Sequence, residues 1–98
     1  MNSLERLTEH IKLANTALTN VGADGIYRLE RHLRLSIEWA YNLEIEATSG
    51  ILPETEKARY TALARSVQLL NSSLVTRIPE QVAAIQETIK GLPATLKV

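Results

Sequence analysis

The feature that most constrains this chain is a predicted helix with apolar residues on two of its sides. In the stretch HLRLSIEWAYNLEIEA, residues 32–47, and the residues just before it, one apolar stripe consists of Leu29, Leu33, Ile37 and Ala40. The other stripe consists of Leu35, Trp39 and Leu43, and it lies roughly 120° around the helix from the first. Each apolar stripe must be shielded from water by another element, so this helix is expected to contact two neighbours.

The preceding segment has apolar residues at alternating spacings of three and four, which is the heptad pattern of a helix packed along a narrow seam. These residues are Leu4, Leu7, Ile11, Ala14, Leu18 and Val21. We expect Gly22 to end helix 1 and Asp24 to cap helix 2, which runs from about 25 to 48 and ends near Gly50. The short turn between them predicts that helices 1 and 2 are antiparallel neighbours.

The C-terminal half repeats this pattern in two further helices. Pro53 suits the first turn of helix 3, whose predicted seam consists of Tyr60, Leu63, Val67, Leu70 and Leu74. Pro79 disfavours helical geometry at the residue before it, so we expect the chain to break there. The inner face of helix 4, roughly 80–90, consists of Val82, Ile85 and Ile89, continued by Leu92.

The predicted fold is therefore all-α, a small antiparallel bundle of four helices, three long and one shorter at the C-terminus. Residues 1–98 form a single domain in this interpretation, and residues 92–98 form a weakly ordered or docking tail.

Composition narrows the classes of function. The 98 residues include eleven basic and eleven acidic side chains, so no overall field attracts nucleic acid, an anionic membrane or an acidic substrate. Cysteine is absent, which removes disulfides, thiol catalysis and thiolate metal sites. The first residues lack the apolar region of a signal peptide, and no run approaches the ~18 apolar residues that span a bilayer. We predict a cytoplasmic protein with no membrane partner.

The pattern of histidines and glycines does not favour catalysis. His10 follows Glu9 directly and His32 follows Glu30 by two, whereas bundle metal sites use a Glu-x-x-His spacing that brings both side chains to one face. Each histidine is therefore interpreted as a rim residue beside a carboxylate. The four glycines are isolated at predicted helix ends rather than grouped in a phosphate loop. We predict no enzyme activity, metal site or cofactor.

An internal similarity links helices 1 and 2. The segments RLTEHIKLA, residues 6–14, and RLERHLRLS, residues 28–36, agree at arginine, leucine and histidine. A duplicated helix would produce this match, and so would chance among a few helix-forming residue types, and nothing comparable occurs in helix 3.

Charge is distributed unevenly along helix 2. The first half carries Arg28, Arg31, His32 and Arg34, and the second half carries Glu38, Glu44 and Glu46. Guanidinium groups beside an exposed indole could bind phosphates and bases, or they could form the polar rim of a protein interface. Three arginines in a neutral chain neutralise few phosphates, whereas burial of the second stripe at ~25 cal/mol per Å2 supplies several kcal/mol. Comparison of these two contributions to binding favours a protein interface.

The sequence thus predicts a non-enzymatic helical protein–protein interaction module, an adaptor, regulator or small assembly component that self-associates through helix 2 as a homo-oligomer. Its apolar centre would be Leu35, Trp39 and Leu43, with partner choice set by Arg28, Arg31 and His32. Two alternatives remain open. The same arginines could serve a nucleic-acid-binding accessory protein, or helices 1 and 3 of the same chain could cover both stripes.

Overall fold

Helices dominate the computed structural model, which describes residues 2–19, 22–50 and 52–92. The α-helices are α1 (Asn2–Leu18), α2 (Ala23–Ser49), α3 (Glu54–Gln68) and α4 (Ile78–Lys90). Two short 3-10 helices, Leu69–Ser72 and Val75–Arg77, connect α3 to α4. The described residues contain no strand, and none of their helices combines the length and apolarity needed to cross a bilayer.

The four helices contact one another in a ring, α1 with α2, α2 with α3, α3 with α4 and α4 with α1. The Ser3 hydroxyl donates a hydrogen bond to Glu46 Oε1 at 2.7 Å, which places the start of α1 beside the end of α2. Farther along the chain, Arg65 Nε of α3 lies 3.2 Å from Glu44 Oε1 of α2. The predicted antiparallel four-helix bundle is confirmed.

The core is built from the predicted inward positions of α1 and α4. Leu4, Leu7, Ile11 and Ala14 of α1 are buried, as are Val82, Ile85, Ile89 and Leu92 in and after α4. Leu92, predicted to continue the inner face of helix 4, is part of this core, so the first residue of the predicted tail packs on the bundle. The rest of the predicted tail, 93–98, and the seam residue Val21 lie outside the described residues.

Helix α2 begins two residues before the predicted start. Its first residue is Ala23, and Asp24 lies in the first helical turn rather than at the cap position. A carboxylate there still interacts favourably with the positive end of the helix dipole. At the other end, the Gly50 N–H donates to the Glu46 carbonyl at 3.0 Å, so the helix closes close to the predicted glycine.

Helix α3 is shorter than its apolar pattern predicted. Tyr60, Leu63, Val67 and Leu70 are buried as expected, but Leu74 is 69% exposed and the prediction that it belongs to the seam is wrong. The physical reason is the Asn71-Ser72-Ser73 run, in which the Ser72 and Ser73 hydroxyls donate to the Leu69 carbonyl at 3.2 and 2.9 Å. Such bonds compete with helix propagation, and the backbone becomes extended at Ser73 and Leu74. The break precedes Pro79, which lies in the first turn of α4.

Candidate interaction surface on helix α2

Helix α2 packs between α1 and α3, and this position explains its two apolar stripes. The Glu46 and His32 side chains contact α1, and Glu44 contacts α3. The line where these two flanks meet is fully buried and consists of Ser36, Ala47 and one member of each stripe, Ala40 and Leu43. The two stripes are therefore the flanks of one broad inward face, and neighbours within the chain cover much of both.

The predicted interface residues have different positions in the fold. Leu43 is 0% exposed in the core, so it is inaccessible to a partner. Trp39 is half-buried and packs against the core, and Leu35 is half-buried. Arg28 and Arg31 are exposed beside them. A surface with the predicted chemistry remains on α2, but Leu43 does not contribute to it.

The basic residues converge on one groove between α1 and α2. Its volume is about 490 Å3 and its lining consists of Leu13, Thr16 and Ala17 from α1 with Tyr27, Arg28, Arg31 and His32 from α2. Leu13 is 39% exposed and Tyr27 is 68% exposed, so the groove has apolar walls accessible to solvent. The structure thus brings Arg28, Arg31 and His32 together, because residues three and four apart share one side of a helix.

At one end of this groove, His10 of α1 meets His32 of α2. Their Nδ1 atoms are 3.2 Å apart, and the ring centroids are 5.5 Å apart with 28° between the ring planes. The centroid distance exceeds the nitrogen distance by about the width of one imidazole ring, so the rings meet edge to edge. This geometry fits an N–H···N hydrogen bond, in which one ring donates and the other accepts through an unprotonated nitrogen.

The surroundings of His32 disfavour its charged form. Burial lowers the pKa of His32 below its ordinary value of 6.5, and the nearby His10, Arg31 and Arg28 lower it further. Neutral imidazole is therefore the dominant form of His32 at neutral pH, which leaves the hydrogen bond to His10 intact.

Sequence reasoning missed this histidine pair, because it compared each histidine only with neighbours on its own helix. The similarity between residues 6–14 and 28–36 contained the signal, since it places His10 and His32 at matching positions. The structure brings these two matching positions into contact.

The described residues contain no group of three or more histidine, cysteine, aspartate or glutamate side chains placed to hold a metal ion. No protein-family model, curated protein or solved structure shows a significant match to the chain. What the surface of α2 can bind must therefore be inferred from its own side chains.

Proposed function

We propose that the chain is a non-enzymatic helical protein–protein interaction module, acting as an adaptor, regulator or small assembly component, and that it self-associates through α2. The observation that carries this proposal is the partial exposure of Leu35 and Trp39 beside two guanidinium groups. Among the described residues, neither Arg28 nor Arg31 has an ion-pair partner. Tryptophan and arginine are the residue types most enriched at the energetic centres of protein interfaces.

The first test is the mass of the protein by light scattering on size-exclusion fractions over a hundredfold range of concentration. Trp39 fluorescence is recorded on the same fractions. We expect the mass to rise toward a dimer, with a blue shift of the emission, because association removes the half-buried indole from water. A monomeric mass and an unchanged spectrum over the whole range contradict self-association.

A pair of matched variants locates the surface. Leu35→Asp introduces a charge on the α2 surface and is expected to weaken association by about tenfold or more, because a partner must desolvate the carboxylate. Leu74→Asp makes the same change at a residue that is 69% exposed and outside α2, so it is expected to leave the mass unchanged. Trp39 is a poorer target, since it packs against the core and its removal would also lower stability.

A nucleic-acid accessory function is the second candidate, and the convergence of Arg28, Arg31 and His32 on one groove favours it. Phosphate contacts release counterions, so binding of a labelled oligonucleotide would fall steeply between low and moderate salt. Arg28→Gln and Arg31→Gln would each reduce that salt dependence. Absence of binding at low salt contradicts this candidate and leaves the protein-interface proposal as it stands.

A further inference from the structure

Helix α2 has an outer seam of six residues that none of the other described helices covers. They follow one another at spacings of four, three, four, three and four, which is the spacing of a coiled-coil seam: Tyr27, Arg31, Arg34, Glu38, Tyr41 and Ile45. All six side chains are exposed. The three apolar or aromatic members are large, and Tyr27, Tyr41 and Ile45 are 68%, 54% and 63% exposed.

The outer seam lies on the side of the helix opposite the buried line. At about 100° per residue, its mean direction is roughly 180° from that of Ser36, Ala40 and Leu43. Its length from Tyr27 to Ile45 is about 27 Å at 1.5 Å per residue. A surface of this length and regular spacing matches the face that one helix offers to another.

The charged members of the outer seam have no partners within the described part of the chain. Arg31, Arg34 and Glu38 take part in none of its ion pairs, which join Arg6 to Glu9, Arg65 to Glu44, and Lys90 to Glu87. None of the three makes a side-chain hydrogen bond there either. Their charges are available to a partner.

The order of residues along the outer seam is self-complementary when it is reversed about position 36. Reversal places Arg34 opposite Glu38, Arg31 opposite Tyr41, and Tyr27 opposite Ile45. These pairs are an ion pair, a cation–π pair and an apolar pair. Each pair occurs twice, since in a two-fold interface every contact is repeated by symmetry.

We propose that the outer seam binds the outer seam of a second copy of this chain, with the two α2 helices antiparallel about a two-fold axis near position 36. This proposal rests on the self-association through α2 proposed above, but it assigns the contact between copies to the outer seam rather than to the side of α2 that carries Leu35 and Trp39. A parallel arrangement is disfavoured, because it sets Arg34 against Arg34 and Glu38 against Glu38. Only the antiparallel pairing matches opposite charges at the centre and joins the apolar ends of the seam.

The composition of the outer seam predicts a reversible dimer. Exposed ion pairs contribute little to affinity but determine orientation strongly, since juxtaposed like charges are costly. The apolar contribution comes from Tyr27, Tyr41 and Ile45, three side chains per copy. The groove lined by Leu13 and Arg28 borders one edge of the seam and shares Tyr27 and Arg31 with it.

Charge exchange at the centre tests this proposal. Arg34→Glu faces Glu38 of the second copy, and Glu38→Arg faces Arg34, so each single variant is expected to weaken the dimer by about tenfold or more. The double variant R34E/E38R restores opposite charges only in the antiparallel arrangement, and its dissociation constant is expected to return to within a few-fold of the original. A mixture of the two single variants is expected to form a one-to-one heterodimer.

The control is Arg59→Glu, which makes the same change of charge at an exposed residue of α3 and is expected to leave the dimer unaltered. All these positions are exposed, and circular dichroism of each variant checks that its helices are kept. Sedimentation equilibrium gives the dissociation constants.

The contrary outcomes are distinct from one another. If Leu35→Asp disrupts the dimer and Arg34→Glu leaves it intact, the outer seam is not the interface. Self-association then occurs through the side of α2 that carries Leu35. Failure of the double variant to recover overturns the antiparallel arrangement. A wild-type chain that stays monomeric at every concentration overturns self-association and the seam together.

Discussion

The inner and outer sides of α2 are built from opposite kinds of residues. The inner line is mostly small, with Ser36, Ala40 and Ala47 beside the single large residue Leu43, and all four are fully buried. The outer seam is large, aromatic or charged, and is exposed along its whole length. Small side chains allow α1 and α3 to approach the helix closely, so the inner line determines the fold. The outer residues add little to it, and the proposed contact with a second copy would account for their identity.

The largest expected loss of stability comes from a substitution on the inner side of α2. Leu43→Ala removes a fully buried side chain from the core and leaves a cavity, so the free energy of unfolding is expected to fall by about 3 kcal/mol. Urea denaturation followed by circular dichroism measures this change. The matched variant Leu74→Ala, at a residue 69% exposed, is expected to change stability by less than about 0.5 kcal/mol. Equal effects of the two variants would contradict the assignment of Leu43 to the core.

The sequence predicts the inner side well, because burial depends on a simple period. The alternating spacing alone identifies Leu4, Leu7 and Ile11 in α1, and Val82 and Ile85 in α4, and all five are buried. Helix ends are predicted less accurately. The apolar pattern extends helix 3 to Leu74, whereas the α-helix ends at Gln68 and is followed by the 3-10 helix Leu69–Ser72. The Ser72 and Ser73 hydroxyls donate hydrogen bonds to the Leu69 carbonyl there.

The candidate surface was harder to predict, for two physical reasons. Leu43 has the same apolar character whether it faces a partner or the core, and only the positions of α1 and α3 decide between these. The outer seam escapes a search for apolar periodicity, since three of its six members are charged. Its regularity becomes visible once the structure shows which side of α2 is uncovered.

A smaller change in the free energy of unfolding is expected at the contact between His32 and His10, which lies between the inner and outer sides of α2. The folded state lowers the pKa of His32 below 6.5, so the unfolded chain binds the proton more readily. The stability that this histidine contributes is complete above pH 6.5 and is lost progressively as the pH falls through 6.5 toward the lowered pKa of the folded state. Urea midpoints at pH 7.5 and pH 5.5 measure this loss, and His32→Gln is expected to make it smaller. An identical pH dependence in the variant would remove His32 as its source.

The smallest effect on stability is expected from the outer side itself. Ile45→Ser changes a side chain that is 63% exposed and distant from the core, so the free energy of unfolding of the monomer is expected to change by less than about 0.5 kcal/mol. The same variant removes one apolar pair at each end of the proposed dimer, and its dissociation constant is expected to rise by about tenfold. Urea denaturation at a protein concentration well below the dissociation constant of the dimer gives the stability of the monomer. Sedimentation equilibrium gives the dissociation constant. Val75→Ser, at a residue 78% exposed between α3 and α4, controls for loss of a surface apolar group. A change in dimer affinity without a change in monomer stability would separate the two sides of α2, whereas a large loss of monomer stability would show that Ile45 also serves the fold.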